Sequence, residues 1–234
     1  MKREIIEDKE FISFNDGNIK VRFSTAYNNI NYKKEDEDGK RNLEALKEIF
    51  SLDKVVYVNQ THSHDFIDAT GESFKGDRNC DAIVTKDKNT LIGVFTADCV
   101  PVIAYDKDKE VIAAIHSGWK GTYNKIVRNT CEYMKEKYDC ENIKVIIGPH
   151  VRECCYEVSE ELADKFRDVF GKEVCNGRML NLERCVKIQL EGIVKEENII
   201  SVGVCTYCEE EIEMHSYRQK QEMAGRLFSA VFIA

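Results

Sequence analysis

The chain has 234 residues, of which 43% are hydrophobic, so it is long and apolar enough to bury a sizeable core. Its net charge of −8 argues against a broad attraction to nucleic acid, and no apolar run reaches the ~18 residues that a bilayer requires. The charged N-terminus lacks the apolar stretch of a signal peptide. We therefore expect a cytoplasmic protein without nucleic-acid or membrane partners, in which most of the ten cysteines are free thiols.

Apolar patterning alternates between strands and helices along the chain. The predicted strands cover residues 54–58, 82–85, 91–97, 100–105, 111–116, 144–147, 199–204 and 227–233. Helical spacing predicts three helices, one through Tyr123, Ile126, Val127, Thr130 and Met134, one through Leu162, Phe166 and Val169 after an N-cap at Ser159, and one through Leu182, Cys185, Val186, Gln189, Leu190 and Ile193. The highly charged residues 31–41 are interpreted as a solvated loop.

The arrangement of these elements predicts a fold class. No linker rich in Gly, Ser or Pro divides the chain, so we expect a single domain spanning residues 1–234. A polar turn at residues 106–109 predicts a hairpin that brings the segment after Cys99 alongside the segment leading into His116. Strands occur in clusters with helices between them, which favours an α+β fold with layered sheets over a regular βαβ repeat.

Three residues of the types that bind zinc stand in unusual contexts: His62, Cys99 and His116. Cys99 and His116 each close an apolar strand, where a rigid sheet can hold side chains at fixed separation. Two imidazoles and one thiolate match a catalytic zinc site, which keeps a fourth position open. The alternatives are a cysteine that is only a small core residue and histidines that satisfy local hydrogen bonds, because the spacing matches no compact zinc signature. His64 is a rival to His62, since residues i and i+2 of an extended segment share a face.

The turn after His116 offers a candidate anion site. Gly118 and Gly121 permit close approach of the backbone to a ligand, the following helix begins with unpaired N–H groups, and Lys120 adds a positive charge. The alternative is a tight turn with a solvated lysine. Arg218 is a second candidate for an anionic substrate, against the alternative of an ordinary surface arginine.

Two further features stay open from the residues alone. Asp98 could accept a hydrogen bond from a ligand histidine if its strand bends there, or could instead cap the turn that follows. Cys205 and Cys208 have the CxxC spacing of a metal or redox pair, but could also be packing residues. A structural zinc would need two further ligands, for which Cys154 and Cys155 are candidates only by count.

Taken together and in order, these segments resemble the YfiH-like, laccase-domain family, also described as polyphenol oxidases and purine nucleoside phosphorylases. The matching motifs are Gln60-Thr61-His62, Cys80-Asp81-Ala82, Thr96-Ala97-Asp98-Cys99-Val100-Pro101, His116-Ser117-Gly118-Trp119-Lys120-Gly121, Ile147-Gly148-Pro149, Cys155-Tyr156-Glu157-Val158, Cys205-Thr206-Tyr207-Cys208, Ser216-Tyr217-Arg218 and Gly225-Arg226. The pair of motifs around Cys99 and His116 is specific, and the ordered set is very specific.

The resemblance implies a layered α/β/β/α fold and a zinc site formed by His62, Cys99 and His116. We expect Asp98 and Gln60 to be catalytic or supporting residues beside this site. It implies phosphorolysis of purine nucleosides and of methylthioadenosine, and deamination of adenosine. The expected ligands are zinc, purine nucleosides and phosphate, with Gly118, Lys120, Gly121 and Arg218 at the phosphate. Copper is the less favoured metal.

The chain departs from the family pattern in three places. Residues 24–29 lack the arginine and the glycine-rich turn common near the family's N-terminus, Ser63 replaces a small glycine-like residue, and His215 stands where an aromatic residue is usual. Two other functions compete with the leading one. Cys99 and His116 could be the nucleophile and base of a thiol hydrolase acting on peptidoglycan precursors, and the older reading of the family is a copper laccase, which needs more histidines than five comfortably provide.

Overall fold

Two mixed β-sheets pack face to face, and helices cover both outer faces. The computed structural model describes residues 1–234. Its strands are β1 Lys2–Ile6, β2 Lys9–Asp16, β3 Ile19–Ser24, β4 Lys54–Asn59, β5 Phe66–Asp68, β6 Lys75–Asn79, β7 Ala82–Thr85, β8 Thr90–Thr96, β9 Val100–Asp106, β10 Val111–Ser117, β11 Lys144–Ile147, β12 Cys175–Asn176, β13 Met179–Leu180, β14 Ile199–Ser201 and β15 Leu227–Ile233. Its helices are α1 Glu37–Ile49, α2 Trp119–Tyr123, α3 Ile126–Tyr138, α4 Glu160–Phe170, α5 Leu182–Leu190 and α6 Tyr217–Lys220.

The first sheet has seven strands in the order β1-β2-β3-β15-β8-β4-β6, and the second has six in the order β14-β11-β9-β10-β7-β5. Both sheets are mixed. In the first, β4 runs parallel to β8 and β6, and in the second, β14 and β5 run parallel to their neighbours while the central strands are antiparallel. A small two-stranded ribbon, β12 with β13, completes the strand set.

Three hydrophobic clusters fill the three interfaces between the layers. β10 shows why, because successive side chains of a strand point to opposite faces. Val111, Ala113 and Ile115 join the cluster that includes α3, α4 and α5, whereas Ile112 and Ala114 join the cluster between the two sheets. A third cluster packs α1 on the outer face of the first sheet. The expected α/β/β/α layering in an α+β fold is therefore confirmed.

Most predicted elements are present, including the hairpin, in which β9 and β10 pair in register over their whole length. Several expectations were wrong in detail. The helix predicted through Tyr123 and Met134 is interrupted, because α2 ends at Tyr123 and Lys125 adopts a left-handed φ of 61° before α3 begins. The helix predicted through Ile193 ends at Leu190, and the strand predicted over residues 199–204 ends at Ser201.

Residues 31–41 are not all loop, because α1 begins at Glu37. The negative charges of Glu37 and Asp38 in its first turn stabilise the positive, N-terminal end of the helix dipole. Val169 lies on the solvent side of α4 and is 41% exposed, while Phe170 takes the buried position. The strands β1, β2 and β3 were not predicted.

The longest helices, α1 and α3, have 13 residues each, and none of the helices is long and apolar enough to cross a membrane.

Gly93 in β8 is expected to be sensitive to addition of a single methyl group. A Cβ atom at this position would lie 2.3 Å from the Cζ atom of Phe228, which is 1% exposed and cannot retreat into solvent. Gly93→Ala should therefore lower the free energy of unfolding by about 1–3 kcal/mol. Chemical denaturation of the single variants and of Gly93→Ala/Phe228→Leu checks the cause. The double variant should be more stable than the sum of the two single effects, and simple additivity would show that the ring is not the obstacle.

Candidate functional site

The β9–β10 hairpin brings Cys99 next to His116. Cys99 immediately precedes β9, and in the antiparallel register Pro101 pairs with His116 and Val100 with Ser117. His116 is 3% exposed and is thus held inside the sheet, whereas Cys99 is only half-buried. The two side chains meet at the open end of the hairpin, opposite its turn, because the register places the start of β9 beside the end of β10.

His62 reaches the same place from the loop after β4. Its backbone has a left-handed φ of 57°, which non-glycine residues seldom adopt and which must be held by surrounding contacts. The contacts come from Asp81. Its Oδ1 atom accepts from the backbone N–H of His62 at 3.1 Å, and its Oδ2 atom accepts from the N–H and hydroxyl of Ser63 at 2.7 and 2.8 Å.

The three candidate ligands converge. We refer to His62, Cys99 and His116 as the ligand trio; their donor atoms all lie within 4.8 Å of one another, with 4.0 Å between Cys99 Sγ and His62 Nε2. Gly118 closes one side, since a Cβ atom there would lie 3.1 Å from the His62 ring and 3.2 Å from Cys99 Sγ. His64 is not part of this group. The arrangement leaves room for one ion between two imidazoles and a thiol.

A buried carboxylate orients the ring of His116. Asp81, which is fully buried, lies 2.7 Å from His116 Nδ1, so that Nε2 is left to face the trio. Such a carboxylate fixes the tautomer of a ligand histidine and increases its basicity. Sequence reasoning considered Asp98 for this task and missed Asp81. The available signal was an acid directly before the buried strand β7.

The charges of the trio also suit a cation. Burial alone would raise the pKa of the Cys99 thiol, but the neighbouring His116 and His62 lower it to about 6. Burial alone would lower the pKa of His116, because it disfavours the charged imidazolium. The Cys99 thiolate and Asp81 nevertheless raise it to about 9. Each group thus favours the charged form of the other, and the lowered pKa of the thiol favours the thiolate that a metal ion requires as a ligand.

The trio forms part of the wall of a large cavity of about 1110 Å³. Within the trio, His116 is buried, Cys99 is half-buried and His62 is exposed. His62 therefore lies on the side of the trio that faces the cavity. Aromatic residues line other parts of the wall, namely Phe95, Tyr156, Tyr207 and Tyr217. The basic residues on the wall are Lys33, Lys34, Arg218 and Arg226. A ligand with a flat ring and an anionic group would meet both kinds of partner here.

Asp98 connects the trio's loop to the C-terminal part of the chain and does not contact a histidine. Its backbone φ of 91° bends the chain before Cys99. Its Oδ1 atom accepts from the Thr206 hydroxyl at 2.7 Å, and its Oδ2 atom accepts from the backbone N–H of Arg218 at 2.7 Å. Gln60 is also engaged with backbone: its side-chain amide exchanges two hydrogen bonds with Phe95, at 2.8 and 2.7 Å. Both residues line the cavity while bracing its wall.

The structure separates the four residues expected at the phosphate. Gly118 packs on the trio and Gly121 packs near the Ser63 carbonyl, where a Cβ atom would come within 3.0 Å. Lys120 is exposed, lies over the Trp119 ring at 5.6 Å and is not among the residues lining the cavity. Arg218 does line it.

Three departures from the family pattern have visible structural roles. Asn28 and Asn29 adopt left-handed φ values of 56° and 57°, so asparagine, which tolerates this conformation, stands in the turn where glycines are usual. Ser63 supplies two donors to Asp81. The N–H at Nε2 of His215 donates to the Ile30 carbonyl at 2.9 Å, and the N–H at Nδ1 of His150 donates to the Gly148 carbonyl at 2.8 Å.

Residues 15–234 match the sequence profile of the family described as multi-copper polyphenol oxidoreductase laccase. The chain belongs to this family. It is 40% identical over 235 residues to a purine nucleoside phosphorylase of Clostridium acetobutylicum, an alignment that covers 97% of each chain. It is 28% identical over 242 residues to the purine nucleoside phosphorylase YlmD of Bacillus subtilis, covering 94% of this chain and 86% of the relative. The resemblance drawn from the motifs is thereby confirmed.

Solved structures of the same fold agree with the layered architecture. The structure of the hypothetical protein YfiH of Bacillus licheniformis superposes with a TM-score of 0.87 at 21% identity, covering 99% of each chain. YlmD from Geobacillus stearothermophilus superposes with a TM-score of 0.82 at 22% identity, covering 93% of this chain and 92% of the other. At these identities the superpositions establish the fold.

Replacement of Asp81 should weaken metal binding at the trio without touching a ligand atom. Asp81→Asn replaces one carboxylate oxygen by an NH2 group, which cannot accept a hydrogen bond. The His62 loop and the His116 ring therefore lose the carboxylate that holds them both. We expect the zinc affinity, measured by chelator competition, to fall about 10- to 100-fold.

Asp65→Asn is the matched control, because Asp65 is a nearby exposed carboxylate. It should leave the affinity unchanged. Equal affinities for the Asp81 and Asp65 variants would contradict the role given to Asp81.

Proposed function

We propose that this chain is a zinc-dependent purine nucleoside phosphorylase that also deaminates adenosine and phosphorolyses methylthioadenosine. The observation that carries the proposal is the convergence of His62, Cys99 and His116 at the wall of a cavity large enough for a nucleoside and phosphate. The relatives named purine nucleoside phosphorylase, at up to 40% identity among those compared, give the substrate class.

The donor set of the trio fits zinc. Two imidazole nitrogens and one thiolate sulfur are the usual ligands of a catalytic zinc ion, and a fourth position would face the cavity beside the exposed His62. When bound, the ion would supply Lewis-acid chemistry at that position. A multi-copper centre fits less well. His150 and His215 are buried and engaged with backbone carbonyls, so the chain's histidines do not gather around several ions.

Arg218 is the best placed cation for phosphate. Its guanidinium lies over the Tyr156 ring at 4.7 Å and donates from Nη2 to the Glu157 carbonyl at 2.9 Å, which fixes the plane of the group at the cavity wall. A guanidinium carries five N–H donors in a rigid fork, so donors remain for an oxyanion. In an acidic chain such a local site must attract the phosphate that attacks the sugar and releases the purine.

The aromatic residues of the cavity would hold the purine. Tyr207 and Tyr217 are 40% and 38% exposed, so each presents unpacked ring surface on which a base can stack. Burial, and after it the negative charge of the Cys99 thiolate, raises the pKa of Tyr156 to about 12, so its hydroxyl stays protonated. It can therefore act as a hydrogen-bond donor at neutral pH while it supports Arg218.

A thiol hydrolase acting on peptidoglycan precursors is the second candidate. It is favoured by the Cys99 thiolate, His116 and Asp81, which stand in the order of a nucleophile, a base and an orienting carboxylate. The two candidates differ in their need for a metal.

The function as a whole is tested by product analysis of adenosine incubations with zinc-loaded protein. With phosphate, adenine and ribose 1-phosphate should form, and without phosphate, inosine should form. Absence of both products would refute the proposal, whereas inosine alone would retain the deaminase and refute the phosphorylase.

Cys99→Ala should abolish zinc retention at the trio and adenosine deamination together, because one of three ligands and its negative charge are lost. Elemental analysis and a deamination assay on the same preparation check this. Treatment of the wild-type protein with a chelator is the companion experiment. A thiol hydrolase would keep its activity after the metal is removed, and Cys99→Ala would then abolish activity while leaving metal binding largely intact.

Arg218→Ala should raise the KM for phosphate in phosphorolysis about tenfold or more, the loss expected for a hydrogen bond to a charged group, while deamination is retained. Lys120→Ala is the comparison, since Lys120 lies outside the cavity wall. The sequence-based assignment of phosphate to Lys120 predicts the reverse pattern, so steady-state kinetics of the two variants at varied phosphate decide between the two residues. A parallel fall of both activities in Arg218→Ala would instead indicate that the residue only supports the wall.

A further inference from the structure

Four cysteines outside the trio come together from two distant segments. Cys154 and Cys155 lie in a turn between β11 and α4, and Cys205 and Cys208 lie in the loop between β14 and α6. We refer to them as the four-cysteine cluster. The segments are joined by backbone pairing around His150, which forms a parallel bridge with Cys205. The cluster is thus held by the fold itself.

The spacing of the sulfur atoms corresponds to a coordination site. All four Sγ atoms lie within 4.8 Å of one another, and the Sγ atoms of Cys154 and Cys208 are 3.6 Å apart. Four thiolates at the usual zinc–sulfur distance of ~2.3 Å form a tetrahedron whose edge is about 3.8 Å. A disulfide would require ~2.05 Å. The observed separation therefore matches ligands around one ion more closely than a bonded pair.

Burial separates this cluster from the chain's ordinary cysteines. Cys131 and Cys185 are fully buried in the apolar core, as free cysteines usually are. Cys154 and Cys208, in contrast, are exposed. Packing of small apolar side chains does not account for two exposed thiols that meet at the surface.

The backbone around the cluster also suits thiolates. The N–H of Arg152 donates to Cys205 Sγ at 3.4 Å, and the N–H of Cys155 donates to the Arg152 carbonyl at 2.9 Å, which forms the turn that directs two adjacent thiols to one side. The Arg152 N–H offsets part of the negative charge that four thiolates bring to a divalent cation.

From these observations we infer that Cys154, Cys155, Cys205 and Cys208 bind a second metal ion, in a tetrathiolate site that is distinct from the trio. Four sulfur ligands in a closed tetrahedral arrangement select zinc as a structural ion. The CxxC pair thereby receives the two further ligands that its spacing alone could not supply.

The site would hold the wall of the large cavity together. Cys154, Cys155 and Tyr207 all line the cavity, and Tyr156, next to Cys155, lies under Arg218. An ion in the four-cysteine cluster would tie the segment that carries Tyr156 to the segment that carries Tyr207. The ion would fix the positions of these two segments, and this role does not depend on the reaction at the trio.

Metal content of purified full-length variants tests the inference. Wild-type protein loaded with zinc and freed of excess should retain about two ions per chain, and Cys208→Ser about one. Cys175→Ser is the matched control, because Cys175 is partly buried and belongs to neither group; it should retain the wild-type content. Cys99→Ala should lose the other ion, so that the two sites are counted separately.

Cobalt(II) loading gives a readout independent of activity. The visible absorption of a tetrathiolate cobalt site is intense and should persist in Cys99→Ala but disappear in Cys208→Ser. Equal metal content in wild type and Cys208→Ser would overturn the inference. So would failure of the fully reduced protein to bind the second ion when the oxidised protein contains a Cys154–Cys208 disulfide.

A measurement on the wild-type protein alone covers the case in which Cys208→Ser does not fold. Alkylation followed by mass spectrometry should show Cys154 and Cys208 protected in the zinc-loaded protein and reactive after chelation. Exposed thiols that react equally in both states would also exclude the site.

Discussion

The candidate site depends on one buried carboxylate. Asp81 has both oxygens engaged, one by His116 and the His62 backbone and the other by Ser63. Its pKa is lowered to about 2, because these donors outweigh the burial that would raise it. A permanent negative charge inside the fold thus connects two ligands that are 54 positions apart in the chain, and it holds His62 in a backbone conformation that would otherwise be rare.

The architecture around this charge was largely predictable from sequence because it follows local periodicity. β9, β10 and β15 are continuous apolar strands, and the polar turn between β9 and β10 indicated their pairing. The N-terminal strands and α1 were missed because they are rich in charged residues, so their pattern resembles solvated loop. Val169 was misplaced because one helical position separates it from Phe170, and periodicity alone does not fix the rotation of a helix that closely.

The identity of the candidate ligands was also accessible from sequence, but the supporting contacts were not. Nothing in the spacing of Asp98 indicates that its two oxygens connect to Thr206 and Arg218, more than a hundred residues away. Likewise, the glycine-rich turn at Gly118 has the composition of an anion site, and only the fold shows that the glycine is needed because His62 and Cys99 stand directly against it. Such contacts depend on tertiary structure, and short-range patterns do not encode them.

The position of β15 has a consequence for the order of assembly. This strand lies between β3 and β8 and is the only link between the meander β1-β2-β3 and the rest of the first sheet, although every other strand of that sheet precedes it in the chain. During synthesis on the ribosome, β15 emerges after every other strand of the first sheet, so the edge of β3 stays unpaired until residues 227–233 are available. An unpaired strand edge can pair with another chain, so a chaperone that covers the edge of β3 would reduce aggregation until β15 joins the sheet.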